Sequence, residues 1–367
     1  MKSSATAIEP VVEGMGLEPL PLRPLDAQPL VSVLVANYNY ERFIGEALDS
    51  VLGQTYQNFE VVICDDGSTD SSLEIIESYE KRDGRIRHIE QANGGHGAAL
   101  NAAFSACGGE IVCLLDSDDL FLPGKLERVV SCFRDQRDAG ISLHRVLRVN
   151  EARRPQGVWP LYGALPDGWR GQQLLDSGGV LPYLPPTSGL SFRREVAEQI
   201  FPLPTYHPVG ACPDQVMMRL APLISSIAKL DDTLAEYRVH GSNTYATNRR
   251  TVETVSREIS LGESLWKAQR DFLARLAPEL ASGFEPIGRS GYFLLLKYVR
   301  SRLSGDGSAD ECYAAFIADV QKNSNPRYVW FWRSTRIMPK PVFAFAINLL
   351  MGQGAVKQLL ARIKGLV

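Results

Sequence analysis

Between Leu30 and Asp119 two hydrophobic periodicities alternate, and this alternation limits the fold more than any other feature of the chain. "LVSVLVANYN" is a β-branched run that ends in polar residues. "ERFIGEALDSVLGQ" then places Phe43, Ile44, Ala47, Leu48, Val51 and Leu52 at helical spacing. "FEVVICDDGSTD" reads as a second strand, and "SSLEIIESYEKRDG" as a second helix that starts near Asp70 or Ser71 and stops near Gly84. A third, shorter strand follows in "RIRHIEQAN", then a glycine-rich turn and helix in "GGHGAALNAAFSACG", then a fourth strand in "EIVCLLD". Such alternation predicts an α/β fold of parallel strands joined by crossover helices. From Asp138 to Asp232 the pattern is irregular and rich in Pro, Gly and aromatics, which reads as loops over the sheet edge. Thr251 to Val367 is mainly helical. The expected organisation is an extended or disordered leader over 1–29, an α/β domain over 30–248, and a helical region over 249–367 that ends in a basic amphipathic tail.

In open α/β sheets, ligands bind at the carboxyl ends of the strands. Polar clusters fall at those ends here: Asn37-Tyr38-Asn39 after the first strand, Asp65-Asp66-Gly67 after the second and Asp116-Ser117-Asp118-Asp119 after the fourth. Two carboxylates two residues apart on an extended segment project to one side, where they repel each other unless a cation lies between them. Mg²⁺ and Mn²⁺ take oxygen ligands, and Mg²⁺ is commonly shared between carboxylates and phosphates. Asp116 and Asp118 therefore read as a site for a metal–nucleotide diphosphate. Taken alone the D-x-D spacing also fits a solvated turn, with Asp119 capping the helix that follows.

Other classes fit less well. With 39 basic and 42 acidic residues there is no net field that favours nucleic acid. The six cysteines form no CxxC pair and several sit in apolar runs, as small buried hydrophobes in a reducing, cytoplasmic compartment do. No secretory signal is visible, and no uncharged apolar run reaches the ~18–20 residues of a membrane-spanning helix.

The run "VSVLVANYNYERFIGEALDSVLGQTYQNFEVVICDDGSTDSS", continued by "NGGHGAALNAAFSACGGEIVCLLDSDDLFLPGKL", resembles the amino-terminal half of family 2 glycosyltransferases. "TSGLSFRREV", "CPDQVMMRLA" and "LAEYRVHGSN" look like the later blocks of that family, so that the likeness spans Leu30 to Asn243. It implies a GT-A fold, a Rossmann-like mixed and mostly parallel sheet flanked by helices, here with a helical carboxyl-terminal extension. By position it assigns a nucleotide-sugar site to Ala36, Tyr38, Asp65, Asp66, Asn101, Asp116, Ser117 and Asp118, with Tyr38 stacking on the base and Asp65 and Asp66 near base and ribose. It assigns Mn²⁺ or Mg²⁺ to Asp118 and His240 and leaves open whether Asp116 or Asp119 joins them. Asp214 in "CPDQ" takes the place of the general base of inverting members. The sequence departs from the family at Leu100, where Arg is common, at Pro213, which leaves Asp214 as a lone acid, and at Ala36, where Thr is common.

The resemblance implies a metal-dependent enzyme that moves a sugar, with inversion, from a nucleotide-diphospho-sugar, a UDP-sugar first, to a saccharide or lipid-linked acceptor. Residues 320–367 carry eight Lys and Arg and no Asp or Glu among many apolar residues, which fits a helix on an anionic membrane surface, on the cytoplasmic face, or one packed on a protein. Two rivals are weighed against sugar transfer. A nucleotidyltransferase needs a glycine-rich, basic phosphate loop after the first strand, and "ANYNYERF" offers none. A non-catalytic nucleotide-sugar-binding scaffold has no need of Asp66, Asp118 and Asp214 together.

Overall fold

A computed structural model describes residues 17–160, 163–177, 179–182, 184–241, 250–284, 291–323 and 332–351. The chain divides into two compact units, the first made of Met1–Val239 and Ala268–Phe284, the second of His240–Lys267 and Glu285–Val367.

The first unit is built on a nine-stranded mixed sheet. It opens with β1 (Val31–Asn37), α1 (Ile44–Leu52), β2 (Phe59–Asp65), α2 (Ser72–Arg82), β3 (Ile86–Glu90), α3 (His96–Ala106) and β4 (Ile111–Asp116). β1 pairs in parallel with β2 and β4, and β2 with β3. Strands β1, β2 and β4 are buried almost throughout, because helices cover both faces of the sheet; this is why their sequences read as continuous apolar runs and not as alternations. One face packs Val31, Val33, Val35, Val61, Ile63, Cys113 and Leu115 against Ile44, Leu48 and Val51 of α1 and Ile76 of α2.

The chain continues with β5 (Leu120–Phe121), α4 (Lys125–Asp135), β6 (Ala139–Asn150), β7 (Pro155–Trp159), α5 (Gly171–Asp176), β8 (Leu190–Arg193), α6 (Arg194–Ile200), α7 (Pro213–Ile224) and β9 (Ser226–Val239). The strand order is β3-β2-β1-β4-β8-β6-β9-β5, and β7, off this path, pairs with β6 at Val146–Val149, beyond the stretch that pairs with β8. The stretch expected as loops over the sheet edge thus supplies much of the sheet itself. Its pairings β4–β8, β6–β8, β6–β7 and β5–β9 are antiparallel, while β6–β9 is parallel. Between β4 and β5 lie only residues 117–119, although three strands separate the two in the sheet. Four Cα steps reach about 14 Å, whereas four strand spacings of a flat sheet need about 19 Å. The sheet therefore curls, and the short acidic link spans the curl.

Residues 17–29 run without helix or strand and are fastened to this unit. Leu20 N–H donates to the Ile224 carbonyl at 2.7 Å, and Arg193 donates to the Arg23 carbonyl at 2.5 Å. Leu25 packs on the core.

The second unit is helical, as the sequence predicts. Part of α8 (Val252–Leu276) begins it; α9 (Pro278–Gly283) falls to the first unit, and α10 (Gly291–Ser304), α11 (Ala309–Asn323) and a last helix, Lys340–Met351, belong to the second. Its core joins Val255, Ile259, Phe293, Tyr298, Val299, Phe316, Trp332, Phe343 and Ile347. No helix among the described residues is long and apolar enough to cross a membrane. The tail expected over 320–367 lies outside the described residues except for 320–323 and 332–351.

Candidate active site

Register brings the polar strand ends together. Ala36 pairs with Cys64 on one side and Asp116 on the other, and Asn37 pairs with Asp65. The acidic link then turns: Asp119 N–H donates to the Asp116 carbonyl at 3.0 Å, and the Ser117 hydroxyl donates to the Ala36 carbonyl at 2.7 Å. Ser188, in the turn before β8, ties the link from beneath. Its hydroxyl accepts from Asp116 N–H at 3.1 Å and donates to Asp119 Oδ2 at 2.6 Å. Asp119 Oδ1 accepts from the backbone N–H of Arg238 in β9 at 2.9 Å.

Carboxylate oxygens of Asp116, Asp118 and Asp119 lie within 4.8 Å of one another. Asp119 is fully buried, and burial followed by the charges of Asp118 and Asp116 holds its carboxyl well above the usual range. The phenols of Tyr40 and Tyr237 are pushed up too, first by burial and then by these aspartates. The cluster is thus a concentrated negative field whose oxygens suit a hard divalent cation.

Two further groups face this field. Asp214 stands in the first turn of α7, immediately after Pro213. Its carboxyl is pushed up to about 6 by burial and by Asp116, against the Gln215 N–H and His96, which lower it. His96 opens α3 after Gly95, whose φ of +88° is easy only for glycine. Its Nε2 is 3.4 Å from Asp116 Oδ1. Burial disfavours protonation of the ring, but Asp116, Asp214 and Asp118 outweigh it and raise its pKa. His96 escaped the sequence reading; the signal available was a histidine set between glycines at the end of β3.

Other expected site residues are anchored in the protein. Asp65 accepts from Asn37 Nδ2 at 2.8 Å and from the Ser68 N–H and hydroxyl at 2.8 and 2.7 Å. Asp66 accepts from Gln91 at 2.6 Å and from the N–H groups of Gly94 and Gly95 at 2.9 and 2.8 Å, so it shapes the loop that delivers His96. Asn101 uses its amide on Leu203, accepting from its N–H at 2.7 Å and donating to its carbonyl at 2.9 Å. Tyr38 is 43% exposed, free to meet a planar ligand. His240 is buried and begins the second unit, whereas the aspartates belong to the first.

The sequence profile named "Glycosyl transferase family 2" matches residues 32–201. An uncharacterised glycosyltransferase of Nostoc sp. (strain PCC 7120) is 35% identical over 250 residues, which cover 67% of this chain and 76% of that protein. The chain belongs to glycosyltransferase family 2. It is similar over shorter stretches to other proteins: 45% identical over 101 residues, 28% of this chain, to the uncharacterised glycosyltransferase EpsJ of Bacillus subtilis, of which those residues are 29%. A chondroitin synthase of Escherichia coli is 37% identical over 141 residues, 36% of this chain but only 20% of that protein. Among solved structures, S. aureus TarS 1–349 in complex with UDP-GlcNAc aligns with a TM-score of 0.49 at 17% identity, covering 91% of this chain and 92% of that one. Family 2 membership makes the chain a glycosyltransferase and favours sugar transfer over a nucleotidyltransferase.

Proposed function

We propose that the first unit transfers a sugar from a nucleotide-diphospho-sugar to an acceptor hydroxyl with inversion, using Asp214 as base and a divalent cation at the Asp116–Asp118–Asp119 cluster. The observation that carries this reading is the convergence of that cluster, Asp214 and His96 on one end of the sheet. The donor set fits a cation: three carboxylates with close oxygens, two of them buried, and one of these, Asp119, held at raised pKa by burial and by its neighbours. Asp118, with Asp116 or Asp119, would hold Mn²⁺ or Mg²⁺. When bound, the ion supplies neutralisation of the leaving diphosphate.

The chain's own groups supply the rest. Asp214, ionised near neutral pH, accepts the proton of the acceptor hydroxyl as its oxygen attacks the anomeric carbon from the face opposite the diphosphate. A single displacement of this kind inverts the configuration. His96 keeps Asp116 oriented and offsets the negative charge gathered around Asp214. Tyr38, exposed beside the end of β1, offers its ring to the base. A uridine diphosphate sugar is the first donor to test, and a saccharide or lipid-linked hydroxyl the acceptor.

Thermal denaturation with each nucleoside diphosphate, with and without Mn²⁺, on wild type and Asp118→Ala, tests the reading. A ligand bound to the native state alone raises stability by mass action, by about 2.7 kcal/mol at a hundred times Kd. A Mn²⁺-dependent shift with one nucleotide that disappears in Asp118→Ala is the expected result. No shift with any nucleotide overturns the metal–nucleotide site.

A further inference from the structure

The last helix, Lys340–Met351, has the sequence KPVFAFAINLLM. Its polar residues are Lys340 at the start and Asn348. Asn348 spends its amide inside the second unit: it accepts from Arg250 N–H at 2.6 Å and donates to the Ala344 carbonyl at 2.8 Å. Phe343 and Ile347, one turn apart, are fully buried in the core of that unit. Val342 and Phe345 lie on the other side of the helix and are 51% and 71% exposed. Ile337, in the turn before the helix, is 85% exposed. Among the described residues no other stretch of this length gathers three exposed large hydrophobic side chains.

A helix that is apolar all round is stable when all of it is covered. One side of this helix is covered by the unit's own core; Val342, Phe345 and Ile337 are not. The turn that carries Ile337 is fixed in place, because Arg302 donates to the carbonyls of Arg336 and Met338 at 2.7 and 2.5 Å. Ile337 is thus held outward by a built contact, not left on a loose end.

Charge identifies what covers the face. Arg333, Arg336 and Lys340 are exposed around it. Arg336 pairs with Asp310 at 3.0 Å, but both members of that pair are more than half exposed, so water and salt screen it. A second copy of the chain seated on the same face would set one cationic rim against another. An anionic bilayer complements both features at once, with apolar side chains entering the acyl boundary and basic ones meeting the phosphates. We propose that Ile337, Val342 and Phe345, rimmed by Arg333, Arg336 and Lys340, form a docking surface for an anionic lipid bilayer. This surface belongs to the second unit and does not depend on the sugar-transfer site.

The test is co-sedimentation of the full chain with vesicles of phosphatidylcholine alone or mixed with phosphatidylglycerol. Wild type is expected to partition at least about tenfold more strongly onto the mixed vesicles, with the difference shrinking at high salt. Ile337→Glu/Phe345→Glu is expected to lose that binding while its melting temperature and nucleotide-induced shift stay those of wild type, since both side chains are exposed. If the double variant fails to fold, Phe345→Ser alone and Arg333→Gln/Lys340→Gln provide the comparison, each expected to lower partition. Absence of binding by wild type, equal binding by the variants, or a wild-type dimer that the apolar substitutions turn into monomer while vesicle binding persists would each overturn the proposal.

Discussion

Asp214 combines a useful position with a costly ionisation. Burial and Asp116 push its carboxyl from 3.8 up to about 6, so the ionised form needed of a base dominates only above that pH. With Mn²⁺ present, kcat/KM is expected to rise along an acid limb to a plateau, and because a cation at the cluster offsets the charge of Asp116, that limb is expected at or below about pH 6. His96 lowers the same carboxyl, so His96→Ala should shift the limb towards higher pH; a limb that does not move excludes electrostatic contact between the two. Stability follows with the opposite sense. Because the folded pKa lies above the unfolded one, the native state pays for ionisation once the pH passes 3.8, and pays in full above about 6. Asp214→Asn should therefore be more stable than wild type at pH 7, by at most about 3 kcal/mol at ~1.36 kcal/mol per pH unit, while transfer falls by about 10²–10⁴-fold. Urea denaturation beside steady-state transfer measures both.

At the scale of elements, the first four strands and their helices were legible because short apolar runs alternate there with segments of helical spacing, and the parallel register then brought Ala36, Asn37, Asp65 and Asp116 side by side. β6 was not legible. "AGISLHRVLRVN" is buried along most of its length but contains His144 and Arg145, and polar residues inside a strand hide the strand from a hydrophobicity count. His144 is accommodated as a neutral ring, its pKa driven down to about 3 by burial and by Lys125, whose own ammonium is lowered to about 7 by burial. Such tertiary compensation leaves no local trace. Asn101 poses a sharper question, since the family resemblance places it on the nucleotide-facing helix whereas both ends of its amide bind Leu203. Asn101→Ala is expected to cost about 1–3 kcal/mol of stability through the unpaired backbone groups it leaves, with donor affinity little changed in titration calorimetry. Weaker donor binding at unaltered stability would restore the nucleotide-facing role.

Over the whole molecule, the cluster, Asp214, His96 and Tyr38 all come from the first unit. Hydrogen exchange with nucleotide and Mn²⁺ present should slow in the backbone of 37–40, 94–97, 116–120 and 213–216 and leave α10 and α11 unchanged. Slowing in α10 or α11 would mean that the effect of the ligand reaches beyond the first unit.

The three-residue link between β4 and β5 has a mechanical consequence. Because it bridges the two limbs of a curled sheet, the spacing of Asp116, Asp118 and Asp119 depends on sheet curvature as much as on local turn chemistry. A substitution deep in β8 or β6 that flattens the curl would stretch this clasp, although it touches no carboxylate. With a cation at the proposed site, preference between a small ion such as Mg²⁺ and a larger one would then follow the curvature of the sheet, a spring open to tuning from the far side of the core.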